Sequence, residues 1–112
     1  MLASAHDFAD LQRSRRVRSD DLVVVRFRRT GASETRFGFA TSRKLGGAVE
    51  RNRVRRRLRS ILRGLEPRLE GGWDVLIAVR PAAATVRQGV LGTSIVAALG
   101  AGGVLKADEA ER

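Results

Sequence analysis

The chain has 112 residues, with 22 Lys and Arg against 12 Asp and Glu for a formal charge of +10, one histidine and no cysteine. A chain of this length suits one domain; without Cys it has no disulfide, thiol nucleophile or thiolate metal site, and His6 alone builds neither a metal site nor a triad. No apolar run approaches the roughly 20 residues that cross a bilayer and no signal peptide is evident, so a cytoplasmic protein without a membrane partner is expected, its surplus charge directed at a polyanion.

Ser4, followed three residues on by Asp7, has the spacing of a helix cap, and Phe8 with Leu11 gives a short apolar edge, so a helix is predicted near 5–13. The β-branched run 22–28 places Val23, Val25 and Phe27 on one face and Arg26 and Arg28 on the other, a strand with a basic side. Loop chemistry at 30–34 and renewed alternation over 36–42 predict a hairpin of two strands, with Gly38 leaving a shallow spot. After Gly46 and Gly47, Val54, Leu58, Ile61, Leu62 and Leu65 fall on one helical stripe; Glu50 favours the start of that helix, and Gly64 and Pro67 stop it. Residues 73–79 are apolar on both faces and read as an interior strand. Thr85 with Gln88 predicts a second cap for a helix carrying Val86, Val90, Leu91, Ile95 and Leu99. The domain is expected to span 1–103, with 104–112 a disordered acidic tail; a chain ending at Gly102 is expected to fold and bind its polyanionic partner almost unchanged. The order is that of an α+β single-domain sandwich with helices packed on a small mixed sheet.

Between positions 43 and 63 stand Arg43, Lys44, Arg51, Arg53, Arg55, Arg56, Arg57, Arg59 and Arg63, nine cations against the one carboxylate of Glu50. At ~100° per residue, Arg51, Arg55 and Arg59 form a ridge beside the apolar stripe, while Asn52, Arg53, Arg56 and Arg63 take the far side. Like charges at this spacing destabilise a helix by a few tenths of a kcal/mol per pair, roughly, so the pattern points to an anionic ligand. A merely solvated face would intersperse Glu, and none occurs between Glu50 and Glu66. A membrane-surface helix is disfavoured because the apolar stripe lacks Trp and Phe and is needed to cover the sheet. Asp7 with Asp10 suits a helix N-terminus, and Asp20 with Asp21 a turn, better than a nuclease metal site. Gly46-Gly47 lacks the Lys-Ser or Lys-Thr of a P-loop, and Trp73 reads as a core residue at the start of a strand.

The run Gly38-Phe39-Ala40-Thr41-Ser42-Arg43-Lys44, followed by Ala48-Val49-Glu50-Arg51-Asn52-Arg53, closely resembles the RNR region of bacterial ribonuclease P proteins. The likeness extends more loosely to Asp7-Phe8 and to residues 74–82, and so to most of the chain up to about residue 99. It implies an αβββαβα order on a four-stranded sheet with a left-handed βαβ crossover, the ribosomal protein S5 domain 2-like fold, where the general rule gives the opposite hand. It also implies two partners, the ribonuclease P RNA in a 1:1 complex and precursor tRNA. Arg43, Lys44, Asn52, Arg53 and Arg56 would face the RNA subunit; Phe8, Ala40, Arg51, Arg55 and Arg59 would border the 5′ leader. No catalytic residue, metal or cofactor is expected on the protein, with Mg²⁺ held by the RNA. The sequence departs from the family pattern in a weak basic lead-in, in Gln12 where a second aromatic is common, and in Val25 at a strand position where Tyr often stacks on the leader. Leader binding is therefore expected to lean on charge, since each lost stacking platform forgoes about 1–3 kcal/mol. A ribosomal-protein-like RNA binder, a DNA-binding protein and an autonomous nuclease are the rival readings.

Overall fold

Alternation along the first predicted strand becomes β2 (Val23–Arg29), with Val23, Val25 and Phe27 buried and Val24, Arg26 and Arg28 partly exposed on the other side. The structure, a computed structural model, describes residues 11–106. In them β2 joins β1 (Val17–Ser19), β3 (Arg36–Thr41) and β4 (Trp73–Val79) in a mixed sheet ordered β1-β2-β4-β3. Helices α1 (Ala48–Leu65) and α2 (Gln88–Gly102) pack on it, which makes the α+β class a finding. β1 is three exposed residues, too short for its period to register in sequence. Of the helix predicted near 5–13, the end is seen at Leu11 and Gln12, with Leu11 fully buried; the remainder, Phe8 included, lies outside the described residues.

The predicted hairpin does not form. β4 stands between β2 and β3, antiparallel to the first and parallel to the second, so Val25 and Phe39 both take Ile77 as their partner. All of β4 except Ala78 is buried, and a strand apolar on both faces finds its place with a neighbour on each side. The chain reaches it from β3 through α1, as parallel pairing requires of a crossover.

On the helix side of the sheet Val54, Leu58 and Leu62 of α1 and Leu91, Ile95 and Leu99 of α2 join Val25, Phe27, Phe37, Phe39, Val75 and Ile77 in one core. Leu76, pointing the other way along β4, and Leu11 are buried outside that cluster. α2 begins at Gln88, without the predicted cap: Pro81 opens a 3-10 turn (Pro81–Ala84), and the Thr85 hydroxyl donates back to the Ala82 carbonyl at 3.2 Å. Close packing explains Gly102 at the end of α2, where a Cβ would lie 2.5 Å from the Phe27 ring.

Residues 104 and 105 belong to the packed structure, contrary to the expected tail. Val104 is fully buried and Leu105 8% exposed. Leu105 bridges to Leu69, the Glu70 N–H donates to the Val104 carbonyl at 2.7 Å, and the Lys106 N–H donates to Arg68 at 2.7 Å. These two side chains close the end of the core beneath the turn that follows α1; residues 107–112 lie outside the described residues.

Candidate nucleic-acid interface

The basic surface starts before α1. Arg43 and Lys44 are exposed in a 3-10 turn (Arg43–Leu45) whose Leu45 is buried and anchors it. Gly46 follows at φ +144°, in the left-handed region that favours glycine, and a Cβ there would meet Glu50 Cβ at 2.8 Å. Glu50 therefore folds back over Gly46 and Gly47, against the helix's own N-terminus, where the macrodipole favours its charge. The one carboxylate among nine cations forms no ion pair with them among the described residues.

Around α1, Asn52, Arg53, Arg56, Arg59 and Arg63 are exposed and Arg51 and Arg55 half-buried. Among the described residues no ion pair involves any α1 arginine; the pairs found there converge on Asp74. Arg51 Nε reaches the Gly47 carbonyl at 3.4 Å. Arg55 Nη1 donates to Asn52 Oδ1 at 3.3 Å, linking the ridge beside the apolar stripe to the far side. Asn52, Arg55, Arg56 and Arg59 share with Val49 a shallow depression of about 550 Å³. The two sets separated by helical spacing thus meet in one surface, while Arg53 stands outside its lining. Arg57 has another task, donating Nη1 to the Val86 carbonyl at 3.1 Å and so tying α1 to the segment before α2.

Ala40 does not enter that depression. It is half-buried on β3, registered with Ala78, and points to the sheet face away from α1, whereas its neighbours Phe37 and Phe39 point into the core beneath the helix. Val25 is also on the helix side, fully buried, so it does not share a face with Ala40; the residues of β2 on Ala40's face are Val24, Arg26 and Arg28. The assignment of Val25 to a leader-stacking position is corrected accordingly.

The basic side of β2 is largely used internally. Asp74 is 1% exposed, and register places it between Arg28 and Arg36. Arg36 grips it with Nε at 2.8 Å and Nη2 at 2.6 Å, and Arg28 donates Nη2 at 2.8 Å. The hydrogen bonds from Arg36, then those from Arg28, hold the carboxyl below the usual aspartate range although burial alone would raise it. Arg26 donates to the Ser14 carbonyl at 3.2 Å. Trp73 is a core residue, edge-on to Phe27, with Arg16 and Arg29 stacked on its ring at 5.2 and 4.9 Å. Asp20 closes the turn between β1 and β2 by accepting the N–H groups of Leu22 and Val23.

A second groove, of about 450 Å³, runs between the start of β3 and the C-terminal half of α1. Arg59 and Arg63 line it together with Glu34, Glu66 and Glu70, so it is no simple phosphate surface. Among the described residues no group of three His, Cys, Asp or Glu side chains could hold a metal, and no helix is long and apolar enough to cross a membrane. Sequence reasoning missed Val49, although its position half a turn around α1 from Leu58 marks it as apolar outside the stripe.

Known proteins share sequence and fold with this chain. The chain is 43% identical to the ribonuclease P protein component of Roseiflexus sp. (strain RS-1) over 76 residues, covering 67% of this chain and 62% of that protein. It is 46% identical to that of Symbiobacterium thermophilum over 61 residues, 54% of this chain and 53% of the relative. The match thus spans a little under two thirds of the first relative's length. The fold superposes on the RNase P protein of Staphylococcus aureus with a TM-score of 0.83 at 21% identity, over 93% of this chain and 95% of that one. For the protein of Thermotoga maritima the TM-score is 0.78 at 22% identity, over 87% and 93%. The sequence model of the family described as Ribonuclease P matches residues 1–101, nearly the whole chain, and the chain belongs to that family.

Proposed function

We propose that this chain is the protein component of ribonuclease P, binding the catalytic RNA subunit and the 5′ leader of precursor tRNA and assisting endonucleolytic removal of that leader. The observation that carries the reading is the row of arginines on α1, outward and without ion pairs among the described residues. Such a row is matched by phosphates, which guanidinium groups grip in bidentate fashion. Arg43, Lys44, Asn52, Arg53 and Arg56 serve the RNA subunit, joined by Arg55 and Arg59, which share a depression with Asn52 and Arg56; Arg51, with Phe8 and Ala40, serves the leader. The protein supplies positioning and charge neutralisation in a 1:1 complex, and hydrolysis takes place on the RNA with Mg²⁺ held there. Cleavage of a precursor tRNA by the ribonuclease P RNA of the same organism, at Mg²⁺ too low for the RNA alone, tests this. Added protein should restore correct 5′ processing, and protein without RNA should produce none. No rescue, or site-specific processing by RNA-free protein, would contradict the reading.

A further inference from the structure

Val49 is the most exposed large apolar side chain among the described residues, at 67% against 50% for Val90 and 39% for Val17. It sits in the first turn of α1, half a turn from the stripe that meets the sheet, so no described residue covers it. It lines the 550 Å³ depression with Asn52, Arg55, Arg56 and Arg59, and that volume lies within the range of about 300–1,000 Å³ typical of small-ligand sites. No carboxylate lines it, because Glu50 is folded back over Gly46 and Gly47. The bond from Arg55 occupies Asn52 Oδ1 and so directs the amide donors of Asn52 away from Arg55. The lining therefore offers one apolar contact and otherwise only hydrogen-bond donors.

A paired RNA backbone would use the arginines and leave Val49 in water, because bases inside an A-form duplex are stacked and their faces hidden. An unstacked nucleotide uses every wall. Its base face covers Val49, a base acceptor takes the Asn52 amide, and its flanking phosphates meet Arg55, Arg56 and Arg59. Resting on the reading of the chain as a ribonuclease P protein, we propose that this depression is a site for a single unstacked nucleotide of the RNA subunit.

Apolar and ionic contacts leave different marks on salt dependence, which makes the site testable. Affinity for the ribonuclease P RNA of the same organism is measured at several salt concentrations for the wild type, Val49→Ala, Val49→Ile and Arg56→Ala. Val49→Ala should bind about fivefold more weakly, from lost apolar contact, with the log-log salt slope unchanged because no phosphate contact is removed. Val49→Ile should retain wild-type affinity, and Arg56→Ala should lower the slope by about one. Thermal melting of Val49→Ala should match the wild type, since the side chain is exposed. Wild-type affinity in Val49→Ala, or a slope that falls as in Arg56→Ala, would overturn the site while leaving the family reading intact. Absence of salt-dependent RNA binding by the wild type would overturn both.

Discussion

Helices α1 and α2 lie on one face of the same sheet and are built from opposite chemistry. α1 carries seven arginines in 18 residues and buries a single stripe, whereas α2 has no charged residue in 15 and buries Leu91, Ile95 and Leu99 with the small Ala98 and Gly102. The cations of α1 repel one another at i, i+4 and contribute little to folding, apart from Arg57. α2 and the segment after it close the core through Leu91, Ile95, Leu99, Val104 and Leu105. Under the proposed function, stability and binding are divided between the two helices, and substitutions in each should register in different assays.

The largest expected effect comes from ending the chain at Gly102. Losing Val104 and Leu105, with the two backbone hydrogen bonds to Arg68 and Glu70, should cost about 3–5 kcal/mol and lower the melting temperature by more than about 12 °C. An unchanged melting curve would show that this segment does not hold the core. Next is Gly102→Ala, which drives a methyl against the Phe27 ring and should cost about 1–3 kcal/mol. Gly100→Ala, two residues away where a Cβ meets nothing within 4 Å, should instead stabilise by roughly 0.5–1 kcal/mol. Equal effects at the two positions would remove the close approach of α2 as an explanation.

Asp74 sharpens the same division from the sheet side. Asp74→Asn should cost about 2 kcal/mol near neutral pH by weakening the hydrogen bonds from Arg28 and Arg36. The folded-state pKa of Asp74 is lowered, so its contribution is complete above the unfolded value of about 3.9 and is lost as pH falls through the lowered folded value. Denaturant titrations of both proteins should therefore converge in acid. A gap that persists there would assign the loss to packing rather than to charge.

What could be read from the sequence was local. The stripe of α1 was legible because its period repeats over three turns, and its arginines because helical spacing fixes which neighbour which. Strand order was not, because pairing depends on β4, which follows β3 only after α1. The same gap hid Asp74, whose partners lie 46 and 38 residues away and meet it only through register. Alternation showed that Val25 accompanies Phe27 but not which face the helices cover. Val104 and Leu105 looked like stray apolar residues before an acidic run, because their partners Glu70 and Leu69 belong to a turn with no periodic signal. Val49 was visible as an apolar residue off the stripe, but its exposure became a fact only once the sheet side of α1 was known.

The central claim, that the outward cations of α1 bind RNA and are dispensable for the fold, is tested most directly by Arg55→Ala, Arg56→Ala and Arg59→Ala combined. Melting temperature and affinity for the ribonuclease P RNA would be measured on the same preparation over a range of salt. The melting temperature should hold or rise slightly, since relief of like-charge repulsion is worth a few tenths of a kcal/mol, roughly. RNA affinity should fall steeply and its log-log salt slope should drop by about three. A protein that melted markedly earlier yet bound RNA with the wild-type slope would contradict the account, placing these arginines in the fold and the RNA elsewhere.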